Sequence, residues 1–88
     1  MQVYIRICGQ VQGVFFRSSA KKVAESLGLV GWVRNNDDGS VEALAKGSKE
    51  NLEKFVSWCK KGPLAATVER VEVNWSKATG EFDKFVII

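Results

Sequence analysis

The distribution of apolar residues predicts an α+β fold in which two helices cover one face of an antiparallel sheet. Three observations carry that prediction. Residues 2–8 alternate with period two, Val3, Ile5 and Ile7 against Tyr4, Arg6 and Cys8, which is a strand with one covered face. Helical stripes occur twice, at Phe16, Ala20, Val23, Ala24 and Leu27 and again at Leu52, Phe55, Val56 and Cys59. Strand-like runs lie between and after them, so the order is β-α-β-β-α-β plus a short terminal strand. That order is the split βαβ, or ferredoxin-like, sandwich.

Each element has its own signals. The first strand covers about residues 2–8, with the odd positions inward and Cys8 on the opposite face. The first helix covers about 16–27. Gly28 suits the left-handed position after its end, and Leu29 supplies an apolar contact. The second strand, about 30–35, runs into Asn36-Asp37-Asp38-Gly39, a strong turn signal. The third, about 40–46, should turn Val41, Ala43 and Ala45 inward and Glu42, Leu44 and Lys46 outward. These two strands form a hairpin. Ser48 is a good N-cap for the second helix, Glu50 favours its first turn, and Lys60-Lys61 suit its end. Gly62-Pro63 stops it. A fourth strand covers about 67–75, Lys77–Gly80 reads as a turn, and Phe85-Val86-Ile87-Ile88 closes the chain as a strand.

Composition bounds the function. Eighty-eight residues make one domain, 1–88, large enough for a single core. No apolar run reaches the length of a membrane span, and the N-terminus has no signal-peptide pattern. We expect a cytosolic (cytoplasmic) monomer with no membrane partner. The net charge of +3 is spread along the chain, which argues weakly for any polyanion and fits a small anionic substrate. There is no histidine, which excludes zinc-finger spacings and His-based acid–base catalysis. Cys8 and Cys59 read as small apolar residues with free thiols.

The chemically informative stretch is Gly9-Gln10-Val11-Gln12-Gly13-Val14-Phe15-Phe16-Arg17, between the first strand and the first helix. A short glycine-containing loop at a helix start can turn backbone N–H groups toward an anion. By themselves the glycines are a weak signal, since they also shape tight connections. Arg17 is more telling. The first turn of a helix favours acids, so a cation there is misplaced unless an anion joins it. Its guanidinium matches a phosphate bidentately. In this topology strands 1 and 2 run parallel with strand 3 between them. Their C-terminal ends, the loop and Asn35, then share one sheet edge, roughly 10 Å apart. Asn35 taken alone is ordinary turn chemistry, and only the topology singles it out. Its carboxamide can accept a hydrogen bond from a water without a pKa near neutrality.

Other readings are weaker. The loop lacks GK[ST], so it is no P-loop, and its spacing is not the dinucleotide fingerprint. RNA-recognition domains share this topology, but the open face of strand 3 shows Glu42, Leu44 and Lys46 rather than aromatics. No nucleic-acid partner is expected. Trp32 and Trp58 read as packing residues. Asp37-Asp38 reads as a solvated turn. Glu69, Glu72, Glu81 and Asp83 read as surface charges. Ser18 and Ser19 have no base to activate them.

Two stretches resemble the acylphosphatase family. Residues 9–17 resemble its motif G-x-V-Q-G-V-x-[FY]-R. Gly31-Trp32-Val33-Arg34-Asn35-Asn36-Asp37-Asp38-Gly39-Ser40-Val41, continuing to Gly47, resembles the second motif. The likeness covers essentially the whole chain, although Leu64–Thr67 stands where relatives often carry a second proline or a basic residue. It implies the ferredoxin-like fold and hydrolysis of acyl phosphates to a carboxylate and inorganic phosphate. By position, Arg17 would bind the phosphoryl group. The N–H groups of Val11, Gln12, Gly13, Val14, Phe15 and Phe16 would form the cradle, and Asn35 would orient the attacking water. No metal or other cofactor is implied. The alternative is a non-catalytic anion-binding module, since domains of this kind also occur within larger carbamoyl-transfer proteins. Chain ends without linkers favour a stand-alone protein as the expectation.

Overall fold

The computed structural model describes residues 1–88. Along the chain run β1 (Gln2–Gln10), α1 (Phe16–Ser26), β2 (Val30–Asn35), β3 (Val41–Lys46), α2 (Lys49–Lys61), β4 (Thr67–Ser76) and β5 (Phe85–Ile87). The strands form one sheet in the order β4-β1-β3-β2-β5. β3 lies antiparallel between β1 and β2, and β4 pairs antiparallel with β1. This is the ferredoxin-like fold that the alternating pattern predicts.

The sheet is mixed rather than purely antiparallel. β5 runs parallel to β2, with Phe85 opposite Gly31 and Ile87 opposite Val33. The reason is directional. β4 is antiparallel to β1 and hence to β2, and the segment between β4 and β5 reverses the chain once more before it reaches the far edge.

α1 packs on β2 and β5, and α2 on β1 and β4. The odd-numbered residues Val3, Ile5, Ile7, Val33, Val41, Ala43 and Ala45 leave the sheet on that side and are buried. They meet Phe16, Ala20 and Ala24 of α1 and Leu52, Phe55 and Cys59 of α2 in one core cluster. Phe55 stands edge-on to Phe85, with ring centroids 5.8 Å apart.

α2 keeps every capping rule its sequence advertises. Ser48 Oγ accepts the Asn51 N–H at 3.2 Å, Glu50 lies in the first turn, and Lys60 and Lys61 lie in the last. α1 ends in a Schellman arrangement. The Leu29 N–H donates to the Ala24 carbonyl at 2.9 Å and the Gly28 N–H to the Glu25 carbonyl at 3.0 Å.

Three local expectations are revised. β1 continues through Gln10 by pairing with β4 across an irregularity at Cys8/Gly9, so Gly9 and Gln10 belong to the strand and not to the loop. Gly9 has φ +134°, and a Cβ there would lie 2.2 Å from the Thr67 carbonyl oxygen. Its glycine answers the close approach of β4. Glu42 does face the open side of the sheet, but it is only 6% exposed. Tyr4 donates its hydroxyl to that carboxylate, Arg34 pairs with it, and the Arg34 guanidinium lies 5.2 Å from the Trp32 ring centre. Burial, and then the hydrogen bond to Glu42, pushes the Tyr4 hydroxyl up to about 12. Asp38 is more than a solvated turn residue. It accepts the Ser40 N–H at 2.9 Å and the Ser40 hydroxyl at 2.6 Å, and it pairs with Arg6. Those Ser40 hydrogen bonds, with Arg6 behind them, hold its carboxyl at about 2.

Candidate active site

Register fixes where the site lies. Ile7 of β1 stands opposite Val41 of β3, and Val41 opposite Asn35 of β2. Beyond that row the chain leaves β1 for the loop 11–15 and leaves β2 for the turn 36–40. Both departures are at one end of the sheet. Asn35 follows Val33 on the same side of the pleat, the side that the helices cover. Arg34 and Asn36 point the other way. Asn35 is therefore the one residue of this strand end whose side chain is turned toward the start of α1.

A cleft of about 350 Å³ opens there. Val11, Gly13, Phe15, Phe16, Arg17, Ser18, Asn35 and Ile87 line it. Of the residues singled out in the sequence, Arg17 and Asn35 thus meet in one cleft with Val11, Gly13, Phe15 and Phe16. Gln12 and Val14 do not line it. Val14 is partly buried against the core. Gln12 Nε2 donates to the Asn36 carbonyl at 2.7 Å and to the Ser40 carbonyl at 2.9 Å. That side chain clasps the loop to the β2–β3 turn, next to Asn35.

The loop is pinned from below and shaped from within. Val11 and Phe16 are buried, and the Phe16 ring lies 5.3 Å from that of Trp58. Gly13 has φ +73° with open space where a Cβ would stand. Its glycine serves backbone conformation, whereas that of Gly9 serves close packing. Phe15 also adopts the left-handed region, φ 65° and ψ 22°, and is the only non-glycine residue with positive φ. For an L residue with a bulky side chain this conformation is disfavoured by roughly 1–2 kcal/mol.

The start of α1 breaks the rules that α2 keeps. Phe15 occupies the N-cap and offers no side-chain acceptor, and the first turn holds no acid. Arg17 stands there instead. Ser18 turns its hydroxyl back on the Phe15 carbonyl at 3.2 Å. A helix start with uncapped N–H groups and an added guanidinium concentrates positive charge at the mouth of the cleft. Across from it, Asn35 Oδ1 is buried and accepts no hydrogen bond from the protein. A buried acceptor without a donor costs on the order of 1–3 kcal/mol.

Away from this cleft no three acidic, cysteine or histidine side chains gather into a metal-ligand set. Both cysteines are free thiols. Cys8 is half-buried on the open face, 3.7 Å from Arg70, and burial pushes the Cys59 thiol up.

The acylphosphatase family model matches residues 3–87. The chain belongs to the acylphosphatase family. An acylphosphatase of Pelotomaculum thermopropionicum is 46% identical over 86 residues, covering 98% of this chain and 94% of the relative. The crystal structure of the Bacillus subtilis acylphosphatase superposes with a TM-score of 0.95 at 38% identity, covering 99% of this chain and 97% of that one. Full-length HypF, in its phosphate- and nucleotide-bound form, contains a similar region, with a TM-score of 0.84 and 29% identity. That likeness covers 99% of this chain and 11% of HypF. Membership identifies an acylphosphatase-type hydrolase whose reaction is the hydrolysis of acyl phosphates.

Ile87 lines the cleft without having been singled out in the sequence, and Ser18, weighed there only as a nucleophile lacking a base, lines it as well. For Ile87 no local signal exists, because an apolar run at 85–88 does not reveal which strand it will pair with.

Proposed function

We propose that the cleft between α1 and the end of β2 is the acyl phosphate site. In it Arg17 and N–H groups of the cleft-lining loop residues Val11, Gly13, Phe15 and Phe16 bind the phosphoryl group, and Asn35 orients the attacking water. The observation that carries this reading is the convergence of Arg17 and Asn35, a strand-end asparagine whose Oδ1 accepts no hydrogen bond from the protein, on one cleft. A water on the cleft side of the Asn35 carboxamide would be held there by a hydrogen bond to that group, with a lone pair free to turn toward the cradle.

The steps follow from those positions. The water oxygen bonds to phosphorus while the bond from phosphorus to the acyl oxygen breaks. The electron pair leaves with the carboxylate. The water's second proton passes to a phosphoryl oxygen, so the dianionic substrate yields one carboxylate and one dihydrogen phosphate. The leaving group is a stabilised carboxylate, so this scheme requires no general base from the protein. Arg17 and the N–H groups counter charge on the phosphoryl oxygens, and the rest is positioning. The same proposal holds the chain to be a monomeric, single-domain cytoplasmic protein, which gel filtration and cell fractionation would test.

Benzoyl phosphate hydrolysis in the presence of EDTA tests the reaction. Arg17→Gln should raise KM and lower kcat, whereas Asn35→Ala should act mainly on kcat, by about 10²-fold or more. Hydrolysis no faster than the uncatalysed rate would refute the proposal. The likeness to a small part of HypF favours a second reading, anion binding without turnover. Calorimetric binding of inorganic phosphate by a chain with no hydrolytic activity would establish it.

A further inference from the structure

Two of the large apolar residues left exposed on this protein stand in the same cleft as Arg17 and Asn35. Phe15 is 78% exposed and Ile87 is 41% exposed. Neither exposure is explained by the fold. The aromatic rings that pack together are Phe16, Phe55, Trp58 and Phe85, and Phe15 is not among them. Its backbone is left-handed, a conformation that glycine or asparagine adopts with less strain. The folded chain thus carries a strained residue whose ring gains almost no burial from folding. Ile87 reaches the cleft because β5 is parallel to β2. It pairs with Val33, one pleat repeat before Asn35, on the helix-covered side.

An acyl phosphate held by its phosphoryl group must leave the acyl part at the rim of the cradle. The rim offers one cation, Arg17, which the phosphoryl group occupies, and two apolar side chains, Phe15 and Ile87. A flat or branched apolar acyl group would cover both and remove apolar surface from water on each side. An acetyl group has only a methyl to offer them and so gains far less from apolar contact. We propose that Phe15 and Ile87 form an acyl-binding wall that selects aromatic and branched apolar acyl phosphates over small ones. This rests on the reading of the cleft as the acyl phosphate site and adds the substrate class to it.

The test compares kcat/KM for benzoyl phosphate and acetyl phosphate in the parent, in Phe15→Asn and in Ile87→Ser, with the fold of each checked by circular dichroism. Asparagine tolerates the left-handed backbone, and the serine variant leaves residue 15 intact. The readout is the benzoyl-to-acetyl ratio, in which any loss shared by both substrates cancels. We expect the ratio to fall roughly tenfold in Phe15→Asn and several-fold in Ile87→Ser, mostly through KM for benzoyl phosphate. Ratios within twofold of the parent in both variants, with the parent active on both substrates, would overturn the acyl wall and leave the phosphoryl site standing. A parent inactive on both substrates would overturn the underlying reading, and the wall with it.

Discussion

Replacing Gln12 by leucine tests whether the two halves of the cleft are held in register by a single side chain. The change keeps the bulk and removes the two hydrogen bonds from Nε2 to the Asn36 and Ser40 carbonyls, at 2.7 and 2.9 Å. Neither carbonyl is orphaned. Asn36 still accepts from the Gly39 N–H at 3.2 Å, and Ser40 from the Asn36 N–H at 2.8 Å. The cost is therefore two net hydrogen bonds without a desolvation penalty, about 2 kcal/mol. For a domain of this size that lowers Tm by roughly 8–16 °C. The catalytic cost is larger in proportion. Asn36 is the neighbour of Asn35, and a shift of about 1 Å between loop and strand end costs on the order of 10²-fold in kcat. Thermal unfolding followed by circular dichroism, with benzoyl phosphate turnover measured well below the variant's Tm, reads both effects. A variant that melts within about 2 °C of the parent would show that the clasp contributes nothing to the fold. One that is destabilised but turns over within twofold of the parent would break the link between clasp and site.

Other outcomes follow from single contacts. Gly9→Ala should destabilise by on the order of 2–3 kcal/mol, since its Cβ would stand 2.2 Å from the Thr67 carbonyl oxygen at φ +134°, and a urea midpoint unchanged from the parent would contradict this. Asp38 has its carboxyl lowered from 3.8 to about 2, so its contribution is fully present above pH 4 and is lost as the pH falls toward 2. Asp38→Asn should flatten the urea midpoint against pH in that window and leave the slope at higher pH as it was. A thiol reagent should label Cys8 in the native chain and reach Cys59, which is fully buried, only on unfolding. Two equivalents consumed at the same rate in buffer would refute that ordering.

What could be read from the residues differs from one element to the next. α2 announced its start, its buried face and its stop, because capping and helical periodicity are local. The parity of β1 and β3 was equally plain. Asn35 was singled out by topology alone, yet the pleat carried a second signal. It shares parity with Val33, and Asn36 does not, so one of the two asparagines had to face the helices. Gln12 was placed in the cradle as a backbone donor, and its clasp had no trace in the sequence. Hydrogen bonds between residues 24 and 28 positions apart leave no period behind. Glu42 read as an outward charge because alternation assigns a face and not an environment. Tyr4 and Arg34 from the two flanking strands cover it. The direction of β5 was illegible for a similar reason. A run of apolar residues states that a strand is covered and says nothing of its partner.

The start of α1 is where a protein engineer seeking a hardier chain would begin, and where the gain would be self-defeating. Glycine at position 15 would release roughly 1–2 kcal/mol of backbone strain. Glutamate at position 17 would add about 0.3–1 kcal/mol by answering the helix dipole. Both are ordinary consensus-style improvements, and together they amount to a sizeable part of the margin by which a small domain stays folded. The glutamate would also hand the positive end of the helix an anion of its own. The unoptimised turn leaves that end open to an anion from solution, so on the proposed reading of the cleft a screen of variants ranked by melting temperature alone would enrich for chains that have lost the phosphoryl site.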